Sequence, residues 1–411
     1  MRLTVERLGH LGDGIAQGPD GPIFVTGILP GEVVEGELVG DKLINPRIVT
    51  PSTQRVRPPC PHAKTCGGCL LQHAADDFVA DWKTGVVRGA LAGQGLVAEI
   101  SGISTSPKNS RRRATLAARR TKSGSLIGFH GRASDVIVPI PQCQLLHPDL
   151  VSALPALEAL VKAGASRTQE VSFTITQSSA GPDVLAKGGK TLDGQLRLDL
   201  ARAAEQHRIA RLTWDGEVIA LRANPVQHMV AAQVTPPPGA FLQATAHGEA
   251  TLIEKVKQAL GPQKRVVDLF CGSGTFTFPV AESAEVHAVE GDAAMVQALD
   301  RAARQIQGLK RITTETRDLF RRPLEPDELK GFTGVVIDPP RAGAEAQVAR
   351  LAEAKAPVIA MVSCNPVTFA RDARSLTDAG YELEWVHVVD QFRWSSHVEL
   401  VARFSLSHIQ R

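Results

Sequence analysis

Aromatic side chains are scarce in this chain: they make up 4% of it, with a single tyrosine. A broad platform for stacking successive bases is therefore not expected. Long apolar runs are also missing. None reaches the roughly 18 residues needed to cross a bilayer. The opening stretch MRLTVERLGHLGDG lacks the apolar core of a signal peptide. The expected location is the cytoplasm, without a membrane partner. Net charge is only +3 at pH 7, so global charge selects no partner. There is no internal repeat and no low-complexity tract.

What is present is ordinary globular material. The 411 residues are 43% hydrophobic and 22% charged, enough for a sizeable core. Length sets a prior of two to four domains at about 150 residues each.

Six cysteines stand out, because three of them crowd into CPHAKTCGGC as Cys60, Cys66 and Cys69. A reducing compartment favours metal binding or catalysis over disulfides. C-x5-C-x2-C cannot close a tetrahedral site alone. Zinc would recruit a second C-x2-C, which is absent, or a histidine, for which His62 and His73 are candidates. Cys143, in IPIPQCQLL, is the cysteine left once Cys271 and Cys364 are placed elsewhere. Four thiolates suit an iron–sulfur cluster, with zinc as the alternative.

Charge is uneven along the chain. From Ser101 to Ser134 there are eight Lys/Arg and no acidic residue. Such a segment on a near-neutral protein is the footprint of polyanion binding. Its arginines Arg111, Arg112, Arg113, Arg119, Arg120 and Arg132 are the candidate RNA contacts. A solvated strand face is the plainer reading.

Residues 1–55 read as short strands between turns (GDG, PDGP, LPGE, GDK), the pattern of a small β-barrel. GDGIA…IFVTGILPGEVV resembles the TRAM domain, an OB-like RNA-binding module. Residues 56–238 form a mixed α+β region carrying the cysteines. Its first helix, near 76–92, is expected to be able to pack on the C-terminal domain. A second, Ala/Leu-rich helix lies near 149–163. TPPPGA (235–240) is a stiff linker. From 239 to 411, strands at 265–270, 285–290, 333–340, 357–364, 382–389 and 398–406 alternate with helical stretches at 292–304 and 366–379. That rhythm predicts a doubly wound, Rossmann-like α/β domain.

Three motifs fall at strand ends, where open α/β sheets bind ligands. DLFCGSGTF (Asp268–Phe276) is a Gly-rich turn, and Glu290 ends the next strand, where a carboxylate can grip ribose hydroxyls. A phosphate-binding loop would want a third glycine where Thr277 stands. DPPR puts Asp338 into the same crevice. SCNP puts Cys364 at its rim, and SSHVE adds His397 and Glu399. Cys271 is expected to be a buried structural thiol.

These types suit one chemistry. Uracil C5 is a poor nucleophile. A thiolate adding at C6 makes an enolate that can accept a methyl group at C5. A base must then remove the C5 proton before the thiol leaves. Cys364 and Glu399 are the candidate nucleophile and base. The target base must leave its stack to be reached.

SCNP, DPPR and HVE together resemble the RNA uracil-5-methyltransferases, and most nearly their 23S rRNA branch. The resemblance implies a class I S-adenosylmethionine-dependent methyltransferase domain, with Gln243, Phe270, Thr275, Glu290, Asp318 and Asp338 around the donor. It further implies a [4Fe-4S] cluster on Cys60, Cys66, Cys69 and Cys143, with 23S rRNA as substrate of a monomer. The rivals are a tRNA uracil-5-methyltransferase, another RNA base methyltransferase, and a non-catalytic RNA-binding factor. Three features depart from the family pattern. FxQxN reads FLQAT, with Thr245 in place of Asn. The helix ending near Gly308 lacks the usual asparagines. DxFPxTxHxE reads DQFRWSSHVE.

Overall fold

The computed structural model describes residues 1–406, so residues 407–411 of the expected C-terminal domain lie outside it. Strands β1 (Arg2–Leu8), β2 (Gly14–Gly18), β3 (Gly21–Val25), β4 (Val33–Val39) and β5 (Lys42–Thr50) close into a barrel, in the order β1-β2-β3-β5-β4. Alternation drives the closure: Leu3, Val5, Ile23, Val25 and Val34 turn into a small core. Closure also removes exposed sheet edges. The LPGE turn is explained by Glu32, whose buried carboxylate accepts from Leu29 N, Ser52 N and the Arg55 guanidinium. Burial pushes this carboxyl up, and those bonds more than offset it, leaving it below its usual value.

Helix α1 (Asp76–Gly93) follows, with Val79, Lys83, Val87 and Leu91 on its buried face, and then strand β6 (Glu99–Thr105). The central region comprises β7 (Arg113–Arg120), β8 (Ser125–His130), β9 (Ile137–Pro139), α2 (Pro148–Ser152), α3 (Leu154–Gly164), β10 (Val171–Thr176), β11 (Asp183–Lys187), α4 (Gly194–Gln206), β12 (Arg211–Trp214) and β13 (Glu217–Leu221). Its seven strands form one sheet, ordered β13-β12-β11-β10-β7-β8-β9, with α3 and α4 packed on it. The single helix expected over 149–163 is two, broken at Ala153. Pro155 lies in the first turn of the second, where a missing N–H costs nothing.

A hairpin, β14 (Gln227–Met229) and β15 (Ala232–Val234), leads through the prolines into the C-terminal region. That region runs α5 (Ala246–Leu260), β16 (Arg265–Leu269), α6 (Thr277–Ala281), β17 (Glu285–Glu290), α7 (Ala293–Gln305), β18 (Ile312–Thr316), α8 (Pro326–Leu329), β19 (Gly334–Ile337), α9 (Glu345–Ala354), β20 (Val358–Ser363), α10 (Pro366–Asp378), β21 (Tyr381–Asp390) and β22 (Glu399–Leu406). Its sheet is ordered β18-β17-β16-β19-β20-β22-β21-β6. From β16 the chain winds to β17 and β18 on one side and later to β19 and β20 on the other. This reversal opens a crevice at the strands' carboxyl ends. β22 runs antiparallel between β20 and β21, and β6 pairs in parallel with β21 at the edge. The fold is thus the expected α/β class: a five-stranded barrel, a mixed central region and a doubly wound sheet.

Two stretches from 56–238 sit with this sheet. β6 completes it, and Met229, Ala232 and Val234 of the hairpin share a core with Phe278 and Leu299. No described helix is long and apolar enough to cross a membrane.

Candidate active site and thiol cluster

The crevice is a cavity of about 580 Å³. Gln243, Phe270, Thr275, Glu290, Asp318, Asp338, Cys364 and Glu399 all line it, together with Arg111, Arg341 and His397. The turn after β16 shapes one end. Phe270, Gly272 and Gly274 have φ of 60°, 57° and 102°. A Cβ at Gly274 would lie 2.5 Å from the Phe278 ring, so only glycine fits there. Glu290 is fixed by two backbone donors, Gly272 N and Asp292 N, each at 3.0 Å. Asp318 accepts from Phe320 N, and the Phe320 ring tilts against Phe270 at 5.4 Å. Phe320 remains exposed, ready to cover a flat group. This cradle fits an adenosyl ligand: close backbone, a carboxylate for ribose and two aromatic faces.

Acidic groups crowd the floor. Burial lifts Asp268 to about 7, even though Thr277 Oγ1 donates to it at 2.6 Å. Burial, with Glu399 and Asp268 nearby, pushes Asp338 well above the carboxylate range. Burial likewise raises Glu399 to about 7, and the Gln391 amide opposes that rise.

Cys364 follows β20 and is half-buried. Asn365 caps α10 by accepting from Val367 N, and Pro366 starts the helix, which fixes the strand-to-helix corner. Burial lifts the thiol to about 11, with Glu399 and Asp338 adding to the rise and Arg341 opposing it. Cys364, Arg341 and His397 also line a second groove of about 500 Å³, walled by Arg7 and His10 of the barrel and Trp82, Gly85 and Gly89 of α1. A Cβ on Gly85 or Gly89 would meet only open space. Two interior glycines cost a helix about 2 kcal/mol, and here they keep the groove wide. Cys271, as expected, is buried.

The four other thiols also meet. Cys60, Cys66, Cys69 and Cys143 are buried and line one small cavity with His62 and Phe129. A Cβ at Gly67 would press on His130 O at 2.8 Å, and one at Gly68 on the Phe129 ring at 2.9 Å. Gly68 N donates to Cys66 Sγ. Burial pushes Cys69 to about 12 and also raises Cys66 and Cys143, with neighbouring thiols adding to each. Among the described residues no three His, Cys, Asp or Glu side chains converge on a single metal-ion position. His62 Nε2 instead accepts from Gln142 N, and burial lowers His73 to about 4.

The basic segment divides. Arg112 pairs with buried Glu249 and donates to Gln243 O; Arg113 donates to Gly239 O; Arg132 donates to Cys69 O. Arg111 stands over the Phe392 ring inside the crevice. Arg119 and Arg120, at the end of β7, are half-exposed.

Two buried residues escaped the sequence reading. Lys83 Nζ donates to Asp390 Oδ1 at 2.6 Å and to Phe392 O. Its signal was a lysine on the apolar stripe of α1. Gln391 reaches Glu399, Gln243 and Ala244 N, and nothing local marks it. Two of the three departures have a structural counterpart. Thr245 caps α5 by accepting from Gly248 N, a role asparagine fills equally well. Trp394 is buried in the central core at φ 60°, and its carbonyl accepts from Leu70 N and Leu71 N of the thiol loop.

Comparison with known proteins agrees with this geometry. A family profile described as tRNA (uracil-5-)-methyltransferase matches residues 200–404. An RNA methyltransferase of Brucella suis is 42% identical over 401 residues, covering 98% of this chain and 97% of the relative. The 23S rRNA (uracil(1939)-C(5))-methyltransferase RlmD of Shewanella baltica is 32% identical, covering 99% of this chain and 96% of its own. The crystal structure of the Pyrococcus abyssi tRNA (uracil-54, C5)-methyltransferase with S-adenosyl-L-homocysteine superposes with a TM-score of 0.77. It is 23% identical and covers 98% and 99% of the two chains, which establishes the shared fold. Fold and relatives define an RNA methyltransferase. More narrowly, the chain belongs to the RNA uracil-5-methyltransferase family.

Proposed function

We propose that this protein methylates C5 of a uridine in 23S rRNA, using S-adenosylmethionine, through a covalent bond between Cys364 and uracil C6. The observation that carries the reading is the position of Cys364 on a wall shared by two cavities. One holds the adenosyl cradle and Glu399. The other is a groove reaching to the barrel, by which RNA can present a base. When bound, S-adenosylmethionine supplies an electrophilic methyl on a sulfonium, whose positive charge favours the thiolate.

Cys364 adds to C6, and the C5 enolate takes the methyl group. Glu399 accepts the C5 proton, and elimination returns the Cys364 sulfur. Gln243, Phe270, Thr275, Glu290, Asp318 and Asp338 surround the donor. The barrel (1–55) and the central region (56–238) serve RNA, with Arg119 and Arg120 as the phosphate contacts. Residues 239–411 carry the chemistry.

Cys60, Cys66, Cys69 and Cys143 hold a [4Fe-4S] cluster. Four buried thiols around one small cavity are a donor set that suits such a cluster, with zinc as the alternative. Metal charge would keep as thiolates the sulfurs that burial otherwise leaves protonated. Both the relative named for 23S rRNA and the tRNA enzyme match almost the whole chain, and the higher identity of the former, 32% against 23%, supports 23S rRNA as substrate.

RNA carrying 5-fluorouridine tests the mechanism. It should trap the native protein as a covalent complex and fail to trap Cys364→Ala. Normal methylation by Cys364→Ala would reject the covalent route. Mass mapping of 23S rRNA from a deletion strain identifies the substrate, and an unchanged 23S rRNA with a tRNA lacking its methyl group would reassign it.

A further inference from the structure

We propose that Gln391 is a positioning residue for the base: its side-chain amide holds the Glu399 carboxyl towards the target ring and ties it, through Gln243, to the Asp338 side of the crevice. This rests on the reading of Glu399 as base.

Gln391 is 1% exposed, and its amide is fully engaged. Its Oε1 accepts from Ala244 N at 2.7 Å. Its Nε2 donates to Gln243 Oε1 at 2.6 Å and to Glu399 Oε2. Gln243 Nε2 in turn donates to Asp338 Oδ2 at 3.5 Å. An amide oxygen held by a backbone N–H fixes which end of the group is the donor. The nitrogen must therefore face the carboxyl.

The surroundings are built for this side chain. A Cβ at Gly248, in the first turn of α5, would lie 2.6 Å from Gln391 Cβ. Glycine is a poor helix residue, and here it makes the room. On the other side Asp390 fixes the backbone. Its side chain takes the Lys83 ammonium, and its carbonyl accepts from Ser106 N at 2.9 Å.

The chemistry explains why an amide serves. Glu399 is buried, and its recorded side-chain partner is Gln391. A base must be ionised to take the C5 proton. A donor N–H favours the ionised form without adding a cation that would compete for it. Oε2 is held by Gln391, which leaves Oε1 for the proton. Asp338 just after β19, Cys364 just after β20, and Arg341, His397 and Arg111 share the cavity. The Lys83–Asp390 pair lies behind it. Gln391 makes its own side-chain bonds to Glu399, Gln243 and Ala244 N, and none directly to these groups.

Gln391→Met removes the amide and nearly keeps the volume. The test is single-turnover kinetics on RNA across pH 5–9, with the protein–RNA adduct followed on denaturing gels. Two results are expected: the acid limb of adduct release moves up by about one pH unit, and methylated adduct accumulates. A uniform loss at every pH, with the limb unmoved, overturns the proposal. If Gln391→Met does not fold, Gly248→Ala pushes the same side chain from behind. A smaller upward shift supports the proposal, and none overturns it. Glu399→Gln in the same assay separates the two readings. If it releases product normally, the base assignment itself fails. If it traps adduct while Gln391→Met leaves the limb in place, only the role of Gln391 fails.

Discussion

The ammonium of Lys83 stands 2.6 Å from Asp390 Oδ1, and both side chains are shut off from solvent. Burial drives the two in opposite directions, lowering the lysine and raising the aspartate, and their mutual attraction offsets only part of this. Lys83→Met leaves a buried carboxyl without its partner and should cost about 3–5 kcal/mol of stability. Adding Asp390→Leu to the same protein should recover most of the loss. Urea melts of the two single variants and the double variant measure the coupling. Additive losses would mean that the pair contributes nothing of its own.

pH should act through the base. Burial raises Glu399 to about 7, above its unfolded value, so the ionised form grows as pH rises through 7. Adduct release should therefore slow by about tenfold per unit below pH 6. Adduct formation needs the Cys364 thiolate, and burial holds that thiol at about 11, so this step should keep rising above pH 8. Rapid quench followed by gel separation resolves the two steps. A single shared limb would contradict the division of labour.

Disrupting the proposed cluster site should loosen the base loop and leave the donor cavity intact. Leu70 N and Leu71 N donate to Trp394 O, so the thiol loop grips the segment that leads to Glu399. Cys69→Ser should expose the chain near residues 392–397 to protease and leave S-adenosylmethionine affinity within about twofold. Iron and sulfide analysis after anaerobic purification comes first. A colourless protein with stoichiometric zinc would replace the cluster.

The arginines should separate by role. Arg119→Ala with Arg120→Ala should lower RNA affinity and flatten the salt slope by about 2. Arg112→Ala should leave that slope alone and cost about 3 kcal/mol of stability, since Glu249 loses its partner inside the protein. Filter binding at several salt concentrations, beside thermal melts, tells them apart.

Filling the groove should block RNA and spare the donor. Gly85→Leu adds a side chain where the structure has open space, and leucine is also the better helix residue. The variant should melt no lower than the native protein, bind S-adenosylmethionine normally and lose RNA methylation. Undiminished methylation would move the RNA path elsewhere.

The sequence made legible what short motifs or regular spacing encode. The glycine turn, Glu290, Asp338 and Cys364 each sit where a strand ends, and a strand end can be recognised locally. α1 could be read from its apolar spacing and the barrel from its turns. β6 could not. EISGIST is short, half-polar and interrupted by Gly102, and it becomes a strand only because β21 lies beside it. β18, ITTET, is a polar strand on the opposite edge of the same sheet. Gln391 and Lys83 are the clearest cases: Gln391 bonds Gln243, 148 residues away, and Lys83 bonds Asp390, 307 residues away, beyond any local signal. The charge run from Ser101 to Ser134 misled in part, because composition cannot tell an arginine facing phosphate from one tied to an internal carbonyl.

β6 also sets an order of events during synthesis. It leaves the ribosome early, yet Ser101 meets His387, which is translated 286 residues later. Until β21 and β22 emerge, the sheet lacks the strand that β6 must join, and Glu399 has not been made. A newly synthesised chain can close its barrel long before it can modify RNA, so folding at the N-terminal end precedes competence, and nearly the whole polypeptide must be complete before the first methyl group is transferred.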